Sequence, residues 1–487
     1  MSQYQHYVPQ FILRKYSDYA RPNSDNYVNK QQFDKALSKV KKRAAVNVLN
    51  FKDGFMKGQL SRSSCNKTFG IPNMYDAEIE SALSGLEQPV SKIIDVIEKD
   101  FLSGKPATLI ARPQKDLLRK FIFIMAYRNR KFYQRFQGEK GDYDSNDRAE
   151  LLAYMRDKGV KTPKDVWLKT IHAFIDVDLG QEVECWDGWL MNHAYPADAR
   201  WFRKNMTTSY LCFCTPKDVG EEFVLTQNAY GVSEGPYSNR GWTDWHTIAP
   251  VNPRLLIVMR NQFLGDIPNV PSGLADVIAK TQRMAIESLT SVYEDPTAAH
   301  SWLEDLPVTR PTTSYPTLQV FSEGNPLLYK STQEDIFTFE FFYLSSTFVQ
   351  RINSIFIEEA ILTDTIVYKS SLALRKALES YLEIEKPGFK IVIEKPEGEG
   401  PEIWCADYNG AKNMDVAPDY ERREYLDMLE RIARSLGSDC TAKFTLSTLN
   451  LFMIIPPLPA TFGARYKKLG KKLYRRRRHE LTIARIR

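Results

Sequence analysis

The chain has 487 residues, of which 43% are hydrophobic and 26% charged, and a formal net charge of +6. That length and balance exclude wholesale disorder, a fibrous repeat and a small disulfide scaffold, and they allow two or three domains. No run approaches the ~18 apolar residues of a membrane span. The opening Met1–His6 lacks the basic start and apolar core of a signal peptide, so a soluble, cytoplasmic protein is expected.

Pro9 suits the first turn of a helix, and the apolar residues after it repeat at helical spacing. A basic stretch, Lys35 to Arg43, precedes a predicted strand over Ala45–Phe51. Asp76 is a fitting N-cap for a helix to about Leu102, with Ile79, Leu83, Leu86, Val90, Ile93 and Ile97 on its apolar face. Pro89 should kink it. A second helix is predicted from Pro113 to Phe136, apolar on every side at its centre. Residues 138–165 read as loop and short helix, and Pro196 interrupts the helical pattern of 166–206. Strands are predicted over 208–214, 222–226 and 254–259. A long loop, Gln227 to Pro253, separates the last two, and its aromatic residues argue against disorder. Residues 270–304 read as helix and 305–334 as a surface connection. Then follow a long helix from Glu334 to Ile361, a strand over Thr365–Tyr368, a helix over Ser371–Leu382 and a strand over Lys390–Glu394. An acidic loop, a helix from Tyr420 to Leu436 and a strand or buried segment over Leu446–Ile455 close the order. The expected fold is α+β, predominantly helical, with one modest, mainly antiparallel central sheet. It divides into a main lobe (1–305), a smaller lobe (306–464) and a basic tail (465–487).

The charge is unevenly placed. From Arg465 to Arg487 there are eleven Lys or Arg and one acid, so the rest of the chain is net negative. The cations Arg465, Lys467, Lys468, Lys471, Lys472, Arg475, Arg476, Arg477 and Arg478 would attract a polyanion by counterion release. Tyr466 and Tyr474 lie among them and suit base stacking. The same block also fits a solvated tail or a localisation signal. The six cysteines are too scattered for a disulfide framework. Cys212 and Cys214 share one face of a predicted strand, and their spacing is short for zinc, so buried reduced thiols are expected.

Neither standard glycine-rich phosphate loop occurs, nor a Gly-x-Ser-x-Gly elbow, nor His-Glu-x-x-His. The segment Thr226 to His246 instead brings together an amide (Asn228), a hydroxyl (Ser233), a carboxylate (Glu234) and an imidazole (His246). Such groups at strand ends make a plausible site. A structured loop whose polar residues satisfy their own turns explains them equally well.

Two segments carry a resemblance. His6-Tyr-Val-Pro-Gln-Phe-Ile-Leu-Arg14 resembles the opening signature of a large family described only as a domain of unknown function. Phe223-Val-Leu-Thr-Gln-Asn-Ala-Tyr-Gly-Val-Ser-Glu-Gly-Pro236 and Trp245–Leu255 resemble its fungal branch, as do Leu118–Asn129 and Phe348–Phe356. That branch is similar to the fungal arginine-containing cyclodipeptide synthases. The resemblance implies an aminoacyltransferase that takes Arg-tRNA and a second aminoacyl-tRNA and closes a diketopiperazine. It implies no metal or redox cofactor, no membrane and no obligate protein partner. An aminoacyl ester is already activated, so the chemistry asks for a proton acceptor, close placement of two esters and oxyanion stabilisation. Glu234, His246, His6 and Asn228 are the expected catalytic groups, with Ser233 as a possible acyl carrier. Gln10, Tyr230, Trp245 and Arg128 are expected at the substrate, and the tail at the tRNA phosphates. The competing expectation is a nucleic-acid-binding protein or nuclease that uses the same tail without peptide chemistry.

Overall fold

A mixed seven-stranded sheet carries much of the fold in the computed structural model. Its order is Thr312–Thr313, Ile336–Leu344, Ser209–Pro216, Leu255–Asn261, His246–Asn252 and Val232–Glu234, and Ala107–Ala111 also pairs with Ile336–Leu344. Ile336–Leu344 runs parallel to Ser209–Pro216, and the other pairings are antiparallel. A separate antiparallel sheet has the order Gln59–Ser64, Ala45–Asn50, Thr365–Tyr368 and Leu225–Thr226. Two-stranded pairings include Tyr4–His6 with Gly70–Pro72. The structure describes residues 4–18, 29, 31–32, 35, 43–136, 147–230, 232–234, 237–238, 241–242, 245–265, 272–290, 301–314, 321–322, 325–326, 332–385, 390–393 and 419–447.

The protein is thus α+β, but the expectation of one modest, mainly antiparallel sheet is overturned: there are several sheets, and the largest is mixed. The physical reason is that strand pattern does not encode partners. Ala45–Asn50 pairs with Thr365–Tyr368, and Ala107–Ala111 with Ile336–Leu344. The large sheet draws strands from both sides of residue 305.

Both faces of its central strands Ser209–Pro216 and Leu255–Asn261 are buried. On Leu255–Asn261, Leu255, Ile257 and Met259 enter one apolar cluster and Leu256 and Val258 the other. On Ser209–Pro216, Leu211 and Phe213 face the first cluster, and Cys212 and Cys214 the second. This is the period-2 alternation of a strand between two layers. Burial pushes the Cys212 thiol up to about 12 and the Cys214 thiol upward as well, so both are inert, protonated core groups.

Three helices position the candidate site: α1 (Gln10–Tyr16), α2 (Ala77–Leu102) and α3 (Arg112–Tyr127). The Asp76 side chain accepts from the Ile79 amide at 2.8 Å, the N-cap expected for α2. Its apolar stripe, from Ile79 to Ile97, is buried. The helix expected from Pro113 to Phe136 is interrupted: α3 ends at Tyr127 and a short helix, Arg130–Arg135, follows. Pro196 opens a helix, Pro196–Thr208, because proline fits the first position, where no amide bond is lost. The helix expected from Glu334 is a strand as far as Leu344 and a helix only over Ser346–Ala360. Phe337, Phe339 and Phe341 are buried at alternate positions, so their period is 2 and not 3.6. The long loop expected after Thr226 contains the strands Val232–Glu234 and His246–Asn252. Most of Leu446–Ile455 and the whole basic tail lie outside the described residues. Among the described residues, no helix is long and apolar enough to cross a membrane.

Candidate functional site

The opening signature folds into a hydrogen-bonded stripe. His6 ends a short strand paired in register with Gly70. A Cβ at Gly70 would lie 2.1 Å from the Gln5 carbonyl oxygen, so this close pairing requires glycine. Tyr7 and Val8 turn into the core, and Pro9 stands at the start of α1. From there Ile12, Leu13 and Tyr16 are buried. Gln10 and Arg14, four residues apart, share the other face, and His6, at the end of the preceding strand, reaches Gln10 across the turn. The His6 Nδ1–H donates to the Thr68 carbonyl at 3.0 Å, which leaves Nε2 to accept from the Gln10 amide at 2.8 Å. Arg14 donates in turn to the Gln10 Oε1. Burial, opposed by the Thr68 bond and reinforced by Arg128 and Arg14, lowers the His6 pKa to about 4. The imidazole is therefore neutral at pH 7.

This stripe forms one wall of an open cleft of about 260 Å³. The facing wall is α2, through Glu80, Leu83, Ser84 and Glu87. Arg128, just past the end of α3, closes the floor. It is buried, donates to the Tyr7 carbonyl at 3.2 Å and pairs with Glu87 at 2.7 Å. Glu80 has its pKa raised by burial, with Arg128 opposing and Glu87 reinforcing. The cleft thus holds two carboxylates, two guanidinium groups and a neutral imidazole.

Parts of two other resembling segments pack behind the cleft. Phe11 of α1 contacts Phe121 of α3 with ring centroids 6.1 Å apart, and Phe121 meets Tyr230 edge-on at 5.7 Å. Tyr230 is buried and donates to the Pro250 carbonyl at 3.1 Å. Burial raises its phenol well above the usual value, with Glu87 and Arg128 as the acting charges. His6, Gln10 and Arg128 therefore line one cleft, and Tyr230 is buried behind it, against Phe121.

Glu234 and His246 form a different constellation. Glu234, His246 and Arg260 lie opposite one another on three adjacent strands. The His246 Nδ1–H donates to Glu234 Oε2 at 2.9 Å, and Arg260 donates to His246 Nε2 at 3.1 Å. The Ser301 hydroxyl donates to Glu234 Oε2 at 2.7 Å and the Trp302 amide to Glu234 Oε1 at 2.6 Å. Arg260 also donates to the carbonyls of Leu303 and Glu304. All four side chains are buried. Burial alone would raise the Glu234 pKa, but the bonds from His246, Ser301 and Trp302 hold it below the usual carboxylate range. Burial lowers His246 despite its bond to Glu234. The result is an ionised carboxylate beside a neutral imidazole with both ring nitrogens occupied. Chemically this row is a clasp joining residues 301–304 to the sheet.

Neither Glu234 nor His246 lines the cleft. Trp245 is buried, and its amide donates to the Glu234 carbonyl at 2.9 Å. Asn228 is buried, and its side-chain amide has no hydrogen-bond partner among the described residues. The side chain of Ser233 and the tail cations Arg465, Lys467, Lys468, Lys471, Lys472 and Arg475 to Arg478 lie outside the described residues. Sequence reasoning missed Glu80, Ser84 and Glu87, whose spacing puts them on one face of α2 beside its apolar stripe. It also missed Arg260 and Ser301, for which no local signal exists.

Residues 4–371 match the family described as "Protein of unknown function (DUF4238)". No curated protein and no solved structure matches the chain.

Proposed function

The chain belongs to the DUF4238 family, and on that premise we propose that it is an aminoacyl-tRNA-dependent cyclodipeptide synthase acting on Arg-tRNA and a second aminoacyl-tRNA. One observation carries this reading. Segments far apart in the chain that resemble the fungal arginine-containing cyclodipeptide synthases come together here: Phe11 and Arg128 line the cleft, and Phe121 and Tyr230 pack behind Phe11.

The groups there match the demands of the reaction. The amine of one aminoacyl residue attacks the ester carbonyl of the other. A C–N bond forms, the ester C–O bond breaks, and the terminal ribose hydroxyl leaves with a proton. A second attack of the same kind closes the ring and frees the other tRNA. Each attack needs an unprotonated amine, and the neutral His6 imidazole, released from Gln10, supplies an acceptor of suitable type. Arg14 and Arg128 set fixed positive charge beside the cleft, where an oxyanion would develop. The tail cations hold the tRNA phosphates, outside the chemistry.

The test supplies the purified full-length protein with Arg-tRNA and a mixture of other charged tRNAs, and analyses the products by mass spectrometry. An arginine-bearing diketopiperazine is expected with charged tRNA and not with uncharged tRNA. Absence of any ring product, or cleavage of the RNA in its place, overturns the proposal. Deletion of Lys467–Arg487 should weaken tRNA binding and flatten its dependence on salt, because fewer counterions are released. Unchanged affinity would remove the tail from the mechanism.

A further inference from the structure

The α2 wall of the cleft contains a carboxylate that the fold does not use. The Glu80 side chain carries no hydrogen bond or ion pair among the described residues, whereas its neighbour Glu87 is held by Arg128. A half-buried carboxylate without a partner is poorly compensated, and it favours a cationic ligand with several donors.

The geometry points to Glu80 as the anchor for the guanidinium of a bound arginyl group. This rests on the cleft being the aminoacyl site. A guanidinium is planar and has five N–H donors in a fork that matches both oxygens of one carboxylate at once. The side chains of Leu83 and Phe11 offer an apolar surface for its methylene stem. The cleft, at about 260 Å³, falls below the ~300–1,000 Å³ of pockets that enclose whole ligands. It suits one side chain, with the ester and the RNA end left outside.

The test measures binding of L-arginine ethyl ester and L-citrulline ethyl ester to the full-length protein by calorimetry. Citrulline has nearly the same shape and no charge. Wild type should bind the arginine ester saturably and the citrulline ester much more weakly. Glu80→Gln should weaken arginine-ester binding by about tenfold to a hundredfold. A thermal midpoint measured alongside shows that the variant is folded. Equal binding of the two esters, no saturable binding to wild type, or unchanged affinity in a folded Glu80→Gln variant overturns the anchor. The two proposals fail separately. Glu80-dependent ester binding without a ring product from charged tRNAs removes the synthase and keeps the anchor. A ring product that still contains arginine at wild-type rate in Glu80→Gln does the reverse.

Discussion

The cleft and the Glu234 row are built from the same residue types, a carboxylate, an imidazole and an arginine, yet they differ in what remains open. In the row, His246 gives one ring nitrogen to Glu234 and receives Arg260 on the other. Glu234 accepts from Ser301 and Trp302 as well. In the cleft, the His6–Gln10–Arg14 stripe is also bonded end to end, but it faces space, and Glu80 across from it is unpaired. A buried polar network whose carboxylate and imidazole are saturated, as Glu234 and His246 are although the Arg260 Nε has no partner among the described residues, specifies structure, whereas chemistry needs groups with capacity left over. Residue type alone does not separate the two cases.

The largest effect that tests this contrast is on stability. Glu234→Ala removes the acceptor of His246, Ser301 and the Trp302 amide and leaves the buried Arg260 without a nearby carboxylate. Loss of one partner from a buried charged network costs about 3–5 kcal/mol. Urea denaturation should show a lower midpoint of that size, while folded Glu234→Ala keeps its affinity for arginine ethyl ester. A Glu234→Gln variant with wild-type stability and no ring product would break the contrast and move the chemistry to the row.

The sequence rhythm was enough for α2, whose buried residues are the ones its three–four spacing selects. It failed for Ile336–Leu344, where a dense phenylalanine run fits a buried helix and a buried strand alike until its partners are known. The His6–Gln10–Arg14 stripe was partly visible, because positions four apart share a helix face once Pro9 sets the start. Arg128 could be named from its segment, but not its bond to Glu87. Glu80 looked like any charged residue on the solvent side of an amphipathic helix. Glu234 and His246 were readable as a chemically apt pair. That they are saturated depends on Arg260 and Ser301, which arrive from a different strand and a different loop.

A smaller effect concerns pH. The unfolded-state pKa of histidine is about 6.5, and burial lowers His6 to about 4 in the folded protein. The unfolded chain then binds more protons between these values, so stability is fully present above about 6.5 and is lost as pH falls toward 4. Each such histidine contributes a slope of up to about 1.4 kcal/mol per pH unit in that window. His246 is lowered as well and adds in the same direction. Carboxylates held low, such as Glu234, also lose stability on acidification, so the comparison must be with a variant. His6→Gln should show a shallower decline between pH 6.5 and 4 than wild type, by no more than one proton. Parallel curves would mean that the imidazole is not shielded from protonation in the cleft.

The smallest stability effect belongs to Gln10. Its amide donates to His6 Nε2, and its carbonyl oxygen accepts from Arg14. These are half-buried contacts, and their loss in Gln10→Ala costs only about 1 kcal/mol. The functional effect should be larger than that. Without Gln10 the His6 Nε2 and the Arg14 guanidinium each lose a bond that helps position them, and displacement of a reacting group by about 1 Å costs on the order of a hundredfold in rate. Gln10→Glu separates bonding from shape: it still accepts from Arg14 but no longer donates to His6 Nε2 unless protonated. If the stripe positions the imidazole, Gln10→Ala and Gln10→Glu both lower the rate of ring formation and leave ester affinity at Glu80 nearly intact. If instead the rate follows stability, falling only slightly in both, the stripe is a second clasp like the Glu234 row, and the unpaired Glu80 side chain is left to carry the cleft's chemistry without it.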